Sequence, residues 1–479
     1  MPTSERGTPE WWVATLASRL AARQSEMAKH QRYYDGQQTQ TFLLRKLLEA
    51  FGEEFRGLNF NYCAVVVDAL AERLEVQGFR FGGDGRASDE AWAIWQDNSL
   101  DALFARGLRT GLIKGETSLI VWADGKGDPR ITVEDGAQVI VATDPATGAR
   151  RAALKMWLDE DEARLFATLY LPDAIHKYQA PQRTTRNLAR RPGTWDQRIV
   201  DGEPWPLPNP LGVVPVIPIP NRPGLSGAGV SEIKAIVPIQ DVINANLVQI
   251  LLAGQFSAFR QRWASNVTLE VDPDTGKPVL PWVIAQDRLL TAPPPAPGEP
   301  EVRFGEYGQT DLSGYVSVHE TAVQAMATLS RTPPHYFLGQ SGTFPSGESL
   351  RAAETGLVSK AKDRIRDDSE PVELAMRLAF ALKALAPGIS STAASRYTRW
   401  SDMKRAETQW RDPESRTESE HVDALMKQKA LGVPDEILWE RVPYSPQEIE
   451  RIKAVRATTA TQPPTTQVAP PETPTVPDA

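Results

Sequence analysis

The chain has 479 residues, which is enough for more than one domain, and a formal net charge of -8. This acidic balance argues against a protein that wraps nucleic acid, because such surfaces neutralise phosphates with lysine and arginine. A lone cysteine, Cys63, excludes an intramolecular disulfide and a cysteine metal cluster. The first residues, MPTSERGTPEWW, lack the layout of a secretion signal, which indicates work in a reducing cytoplasm or within a larger particle.

Residues 9–80 show apolar spacings that are typical of helices. We expect the first helix to end at Gly36, a second to cover residues 42–51, and a third to begin at Asn59 and to stop at Gly78. Two more helices are predicted before residue 111. The first of them is capped by Ser88 or Asp89, and the second runs through Leu100, Leu103, Phe104 and Leu108.

From Gly111 the apolar residues recur with period two, which predicts strands. The predicted strands cover residues 118–122, 131–134, 138–142, 153–157, 164–170 and 174–179. Turn sequences separate them, so we expect an antiparallel sheet within an α+β chain that is predominantly helical. Prolines recur between residues 204 and 220 and restrict that segment to sheet edges or connections, because proline cannot donate a ladder hydrogen bond.

Residues 231–263 contain a long run without charge, from Val242 to Phe259. Apolar side chains fall on one face of a helix, namely Ile239, Val242, Ile243, Leu247, Ile250 and Leu251. Pro238 fits the first turn of that helix or else kinks it. The amides of Asn244, Asn246, Gln249 and Gln255 would need partners in a bilayer, so a buried helix is favoured over a membrane span.

A second helix with an apolar face follows after an insert. The insert, residues 264–305, contains two short predicted strands at 267–271 and 280–284 and a proline run at 293–298. Asp311 is the expected cap of the second helix, which ends before Pro333. A glycine-rich loop then leads to a long third helix capped by Ser346. Further helices are predicted at 372–385, 406–431 and 434–455, followed by a disordered tail from Thr458.

Motifs that would indicate an enzyme or a cofactor site are incomplete. The glycine-rich segment 224–229 lacks the lysine and hydroxyl that hold phosphate and magnesium. The segment 272–276 begins like a calcium loop, but Val283 occupies the position of the required glutamate. The five histidines are scattered without an i, i+4 pair, which disfavours zinc and Ser/His catalysis. We therefore expect no enzyme activity, cofactor or metal.

The order of these elements resembles that of portal proteins of long-tailed bacteriophages. Segments that resemble the family lie in order at residues 59–81, 229–263, 304–307, 311–315, 332–339 and 346–351. The resemblance implies the portal fold, with wing, stem, clip and crown, assembled as a ring. Its implied parts are a wing at 1–230, a first stem helix at 231–263, a clip at 264–305, a second stem helix at 306–331, a tunnel loop region at 332–348, wing or channel helices at 349–400, a helical crown at 401–457 and a disordered tail at 458–479.

The resemblance also implies a function. The ring, typically of twelve subunits, would sit at one capsid vertex of the virion after assembly in the host cytoplasm, and double-stranded DNA would pass through it during packaging and ejection. The implied partners are further copies of the chain, the major capsid protein, the terminase large subunit and a head-completion or adaptor protein, without a membrane. The alternatives are another head structural or connector subunit, or a head enzyme such as a maturation protease or packaging ATPase.

Three groups of residues carry these expectations. The channel loop is Gly339, Gln340, Ser341, Gly342, Thr343, Phe344, Pro345, Ser346 and Gly347. Stem oligomerisation is expected from Val242, Leu247, Ile250, Leu251, Leu312, Val316 and Val323, with the stem amides on the wetter side of the ring wall. The candidate DNA-proximal residues are Lys360, Lys362, Arg364 and Arg366, which alternate with acids, so that a solvated helix face stays an open alternative.

Overall fold

The computed structural model describes residues 5–38, 59–82, 84–182, 194–225, 227–258, 262–267, 270–271, 273–276, 278–279, 298, 300–306, 311–337, 347–414, 418–435, 438 and 451–456. The chain divides into two compact units. Unit 1 comprises Met1–Glu72, Arg106–Leu119 and Val133–Lys360, and unit 2 comprises Arg73–Ala105, Ile120–Thr132 and Ala361–Ala479.

The described helices and strands are distributed along the whole chain. The helices are α1 (Pro9–Tyr34), α2 (Tyr62–Ala71), α3 (Gly85–Asp97), α4 (Leu100–Lys114), α5 (Val237–Ala258), α6 (Ser313–Ser330), α7 (Gly347–Ala384), α8 (Ser391–Ser401) and α9 (Glu418–Ala430). The strands are β1 (Val76–Phe81), β2 (Glu116–Ala123), β3 (Pro129–Asp135), β4 (Val139–Thr143), β5 (Arg150–Asp159), β6 (Arg164–Tyr170), β7 (Ala174–Gln179), β8 (Asp196–Gln197), β9 (Leu207–Pro208), β10 (Val216–Pro220), β11 (Arg262–Ser265), β12 (Glu270–Val271), β13 (Pro278–Val279), β14 (Arg303–Glu306) and β15 (Ala406–Trp410).

The ends of the first two helices are set by side-chain caps and a glycine. The hydroxyl of Thr8 accepts a hydrogen bond from the Trp11 amide at the start of α1, and Gly36 follows its end with a φ of 68°. The predicted end at Gly36 is therefore confirmed. Asn61, not Asn59, caps α2, because its Oδ1 accepts from the Ala64 amide at 3.3 Å. The helix predicted for residues 42–51 lies outside the described residues.

The predicted antiparallel sheet forms the centre of unit 1. Its strand order is β4-β5-β6-β7-β8, and β9 also pairs with β7. Neighbouring strands are antiparallel, with Leu154 opposite both Ile140 and Leu169. One face of this sheet packs against α1, where Leu16 and Leu20 are buried with the strand residues. Burying this alternate set of apolar side chains from water fixes the register, since a shift by one residue would expose it.

A smaller sheet has the order β10-β2-β3. Its edge strand, β10, contains Pro218 and Pro220, as the proline spacing predicted. The prolines are tolerated because an edge strand uses only one side of its backbone for pairing. Gly115 and Gly229 lie between this sheet and the approach to α5, where the two backbones come close together.

Several predictions for unit 2 are wrong in detail. Asp84 caps α3 in place of Ser88 or Asp89, because its Oδ1 accepts from the Ala87 amide. Gly78 lies inside β1 and does not stop a helix. Residues 406–410 are not helical but form β15, which pairs antiparallel with β1. The crown predicted as helical at 401–457 therefore begins with a strand, and helix follows at α9 and at residues 451–456.

The helix α7 is one continuous helix, although we expected the segments before and after Pro371 to be separate. A proline inside a helix removes one hydrogen bond and costs about 3 kcal/mol. Buried side chains beyond it offset that cost, among them Val372, Met376 and Phe380. The ring of Phe380 contacts those of Phe81 and Trp400 at centroid distances of 5.2 and 5.3 Å. Tertiary packing thus overrides the local signal of the proline.

A glycine-to-alanine change tests the close backbone approach in unit 1. A Cβ on Gly229 would lie 1.9 Å from the Gly115 carbonyl oxygen, which is held by the Asn221 amide at 2.8 Å. We expect Gly229→Ala to lower the free energy of unfolding by at least about 2 kcal/mol, because backbone cannot move aside as a side chain can. Chemical denaturation measures this. Gly314→Ala is the control, since a methyl group there would meet no atom within 4 Å, and it should leave the free energy of unfolding unchanged or raise it by up to about 1 kcal/mol.

Candidate functional site

The helices α5 and α6 pack against each other within one subunit. Both helices carry fully buried apolar side chains, Ile243 and Val248 on α5 and Val323 on α6. The side-chain amide of Asn246 donates to the Tyr315 carbonyl at 2.8 Å and joins the two helices directly. The helix α5 is shorter than the predicted span of residues 231–263, because it begins at Val237 and ends at Ala258. Pro238 lies in its first turn, as predicted.

The insert between these helices begins and ends as a pair of strands. Strand β11 pairs antiparallel with β14, and Trp263 lies opposite Gly305. A Cβ on Gly305 would lie 2.4 Å from the indole ring, so glycine lets that ring lie flat on the facing strand. Trp263 therefore belongs to the insert and not to the stem helix. Within the insert, β12 pairs with β13 in a short hairpin whose turn contains Gly276 at a φ of 63°. The strand predicted for residues 280–284 and the proline run lie outside the described residues, apart from Gly298.

Two of the four amides expected on the wetter side of a ring wall, Asn244 and Asn246, are buried, which corrects the expectation for them, while Gln249 is exposed and the side chain of Gln255 lies outside the described residues. Gln240, Asn244 and Asn246 are all at most 4% exposed. The side chain of Gln240 donates to the Phe60 carbonyl at 2.5 Å and accepts from the Tyr62 amide at 3.2 Å. Asn244 Oδ1 accepts from the Phe60 amide at 3.1 Å. Together, Gln240 and Asn244 bind the segment that leads into α2. The signal for this network in the sequence is the spacing of four residues between these two amide side chains.

The predicted oligomerisation residues divide into two groups. Val242 and Val316 are exposed, at 44% and 49%, while Leu247, Ile250, Leu251 and Leu312 are half-buried. Val323 on α6 is fully buried inside the subunit. The exposed and half-buried members stay predictions for contacts between subunits. For Val323, the structure gives a role within the fold.

The channel loop is described only at its two borders. Residues 338–346 lie outside the described residues, and Gly347 is the first residue of α7 instead of the last of the loop. Before the loop, α6 ends at Arg331 in the left-handed conformation, ahead of Pro333 as predicted. His335 Nε2 lies 3.9 Å from Glu354 Oε1 on α7, so the residues on either side of the loop are near each other. The predicted cap of Asp311 takes a different form: its carboxylate accepts from the Ser313 amide, and this bond lowers the pKa of Asp311.

The four candidate DNA-proximal residues do not share a surface. Lys360 is buried, with its Nζ 2.7 Å from Glu232 Oε2 and donating to the Ser330 carbonyl at 2.9 Å. Arg364 is buried one turn later and lies 3.6 Å from Asp367. Lys362 and Arg366 are exposed on another face of α7. Burial argues against a DNA contact for Lys360 and Arg364, while the prediction for Lys362 and Arg366 stays a prediction. Sequence reasoning did not identify Glu232, because one acid beside an apolar helix carries no sign of its partner.

Two further properties of the described residues bear on function. No group of three or more His, Cys, Asp and Glu side chains among them could hold a metal ion. One helix segment in the described part of the chain, Val237–Gly254, is long and apolar enough to cross a membrane by length and composition alone, a test that buried core helices also pass. Its buried amides are hydrogen-bonded to other parts of the chain, which favours a core helix, as the sequence predicted.

Comparison with known proteins decides the family. The sequence profile of the family described as phage portal protein, SPP1 Gp6-like, matches residues 15–462. The chain belongs to this portal protein family. It is 27% identical to the portal protein of Mycobacterium phage D29 over 416 residues, which is 82% of this chain and 78% of the relative. It is also 27% identical to the portal protein of Mycobacterium phage L5 over 413 residues, 82% and 77% of the two chains.

The resemblance seen in the sequence is thereby confirmed, and so is a portal or connector role. Phage portal proteins are structural components of the virion at the capsid vertex, a family property that fits the expectation of a protein without enzyme activity. Among solved structures, a chain from the neck of a native GTA particle, computed with C12 symmetry, is similar at a TM-score of 0.40 and 12% identity. That match covers 86% of this chain and 94% of the other.

The amide network of this portal subunit can be tested on α5. We expect Gln240→Ala to lower the free energy of unfolding by about 1–3 kcal/mol, because the Phe60 carbonyl and the Tyr62 amide lose their partner. Gln249→Ala removes the same amide from an exposed position of the same helix and should change stability by less than about 0.5 kcal/mol. Chemical denaturation measures the free energy of unfolding of both variants. If the two substitutions lower it equally, the hydrogen bonds of Gln240 do not stabilise the subunit.

Stability should also depend on pH through Asp368. Burial raises the pKa of Asp368 to about 7 from 3.8, so the folded state holds a proton that the unfolded state has released. The contribution of Asp368 to the free energy of unfolding therefore falls as the pH rises between about 4 and 7, by at most ~1.4 kcal/mol per pH unit. Above that range its contribution is constant. Asp368→Asn should remove this slope in denaturation series. Glu370→Gln, an exposed carboxyl on the same helix, should leave the slope unchanged.

Proposed function

We propose that this portal subunit assembles through α5 and α6 into a closed ring, typically of twelve copies, whose channel carries double-stranded DNA during packaging and ejection. The observation that supports this most is the division of α5 into two faces. One face is buried in its own subunit through Gln240 and Asn244, and the opposite face leaves Val242 exposed. A head-to-tail ring buries such a face against the next copy, since each subunit presents two different surfaces.

The proposed channel needs low friction more than affinity. The net charge of -8 for each subunit disfavours a channel wall that holds phosphate tightly, because tight binding requires many lysine and arginine contacts. The burial of Lys360 and Arg364 agrees with this, since it withdraws two cations of α7 from solvent. Lys362 and Arg366 are exposed, and Arg366 pairs with Asp363 within α7. These two residues are therefore the candidates for contact with passing DNA.

The proposed docking surface for other head proteins is the insert. Strands β11 and β14 close its base, and Trp263 and Phe304 are exposed there at 39% and 47%. Exposed aromatic side chains are enriched in protein interfaces. In the proposed assembly, the insert contacts the terminase large subunit first and a head-completion or adaptor protein later, and the wing contacts the major capsid protein after assembly in the host cytoplasm.

The experiment that tests this proposal measures the assembly of the purified protein. We expect light scattering to give about twelve times the subunit mass of 52.8 kDa, and negative-stain microscopy to show hollow rings. Val242→Asp should give folded subunits that do not form rings, because a carboxylate at the contact would lose its water.

Ile199→Asp is the matched control for this variant. It introduces the same charge at a residue that is 74% exposed and lies outside α5 and α6, and its rings should form normally. A wild-type protein that stays monomeric would contradict the ring. Rings that form with Val242→Asp would exclude this face of α5 from the contact and point to a different connector arrangement.

A further inference from the structure

A buried ion pair lies outside every surface that the proposed function uses. Glu232, in the segment that leads into α5, has a fully buried side chain, and its Oε2 lies 2.7 Å from Lys360 Nζ on α7. Its other oxygen, Oε1, accepts from the side-chain amide of Asn221 at 3.1 Å. Asn221 is anchored in turn by donating to the Val230 carbonyl. Both charges therefore have several partners, as a buried pair requires.

The same lysine also reaches the second stem helix. Lys360 Nζ donates to the Ser330 carbonyl, in the last turn of α6, at 2.9 Å. Carbonyls in the last turn lack partners within the helix and carry partial negative charge, so a cation is favourable there. The ammonium group of Lys360 thus contacts both the segment before α5 and the end of α6. Because Lys360 is itself a residue of α7, it joins these two places to α7. All of these residues belong to unit 1.

Two further contacts continue from Lys360 toward the loop. A Cβ on Gly356 would lie 3.8 Å from the Cβ of Arg331, so α7 passes close to the cap of α6. His335 then faces Glu354. Residues 330, 331 and 335 lie near residues 360, 356 and 354 in that order, so the numbers rise on one side of the contact and fall on the other. The segment after α6 therefore lies antiparallel to the first turns of α7.

We propose that Glu232 and Lys360 are positioning residues that fix the register of α7 against both stem helices, and with it the end of the channel loop. This inference rests on the proposed function. Lys360 follows Gly347 by thirteen residues, or roughly 20 Å of helix at about 1.5 Å per residue, so a small rotation at the pair moves the start of α7 considerably. Buried ion pairs add little net stability compared with uncharged side chains of the same volume, but they specify geometry.

The test replaces the pair by uncharged side chains of similar size. We expect the double variant Glu232→Gln/Lys360→Met to keep the ring mass and the Tm of the wild type, because no unpaired charge is left in the interior. The packaged DNA per capsid should fall about tenfold, within the range by which changes in a packed network alter coupling. Hydrogen exchange of residues 349–358 in the assembled ring should become faster. The single variant Lys360→Met should lose stability, since it leaves the Glu232 carboxylate buried alone.

The matched control is the nearby exposed pair Glu26 and Lys234, at 2.9 Å and about half exposed on both sides. Glu26→Gln/Lys234→Met should package and exchange like the wild type, because exposed pairs contribute little. The positioning role is overturned if the double variant packages normally. It is also overturned if that variant loses the ring or its Tm, since the pair would then be a stabilising contact. A wild-type protein without rings or packaging would instead contradict the proposed function itself.

Discussion

The helix α5 can be buried only where its side-chain amides find hydrogen-bond partners. This constraint decides which parts of unit 1 pack against α5. An amide left unpaired in the interior costs about 1–3 kcal/mol, so the face with Gln240 and Asn244 must meet backbone that is not already in a helix or sheet. Phe60, just before α2, and the free amide of Tyr62 in the first turn of α2 supply such groups. This fixes the entry into α2, and Tyr33 adds a hydrogen bond from α1 to Asp241 at 2.6 Å. The apolar stripe of α5 is thereby turned partly outward.

Buried charged side chains in unit 1 are also paired, as the buried amides are. The buried carboxylates of Glu116 and Glu232 each pair with a cation, Arg23 at 3.0 Å and Lys360 at 2.7 Å. Burial still raises the pKa of Glu116 against the opposing effect of Arg23. Arg23 also donates to the carbonyls of Gly136 and Val139, so one side chain joins α1 to the turn before β4. These pairs connect segments that are far apart in sequence, and they determine which elements of unit 1 can be neighbours.

Much of the fold could be predicted because the deciding forces are local or periodic. Alternation gave Arg164–Tyr170 and Ala174–Gln179 with the correct ends, and the apolar spacing identified both stem helices. The errors arise where tertiary contacts decide. Pro371 stays inside a helix because its neighbours are buried, and residues 406–410 become a strand because β1 offers them an edge. The burial of Lys360 depends on Glu232, 128 positions earlier, and no local pattern could indicate that pairing.

The burial of the amides Gln240, Asn244 and Asn246 of α5 within one subunit also bears on the order of assembly. The hydrogen bonds that this face of α5 makes lie within one chain, to residues of α1, α2 and α6 and the segments between them. These bonds therefore form without a neighbouring subunit. The outer face carries the exposed Val242 and half-buried apolar side chains beside the exposed amide of Gln249, so in the proposed ring its burial stabilises the assembly after folding rather than during it. In the proposed ring, a subunit would then fold first and join the ring second, with the face around Val242 as the surface that is covered last.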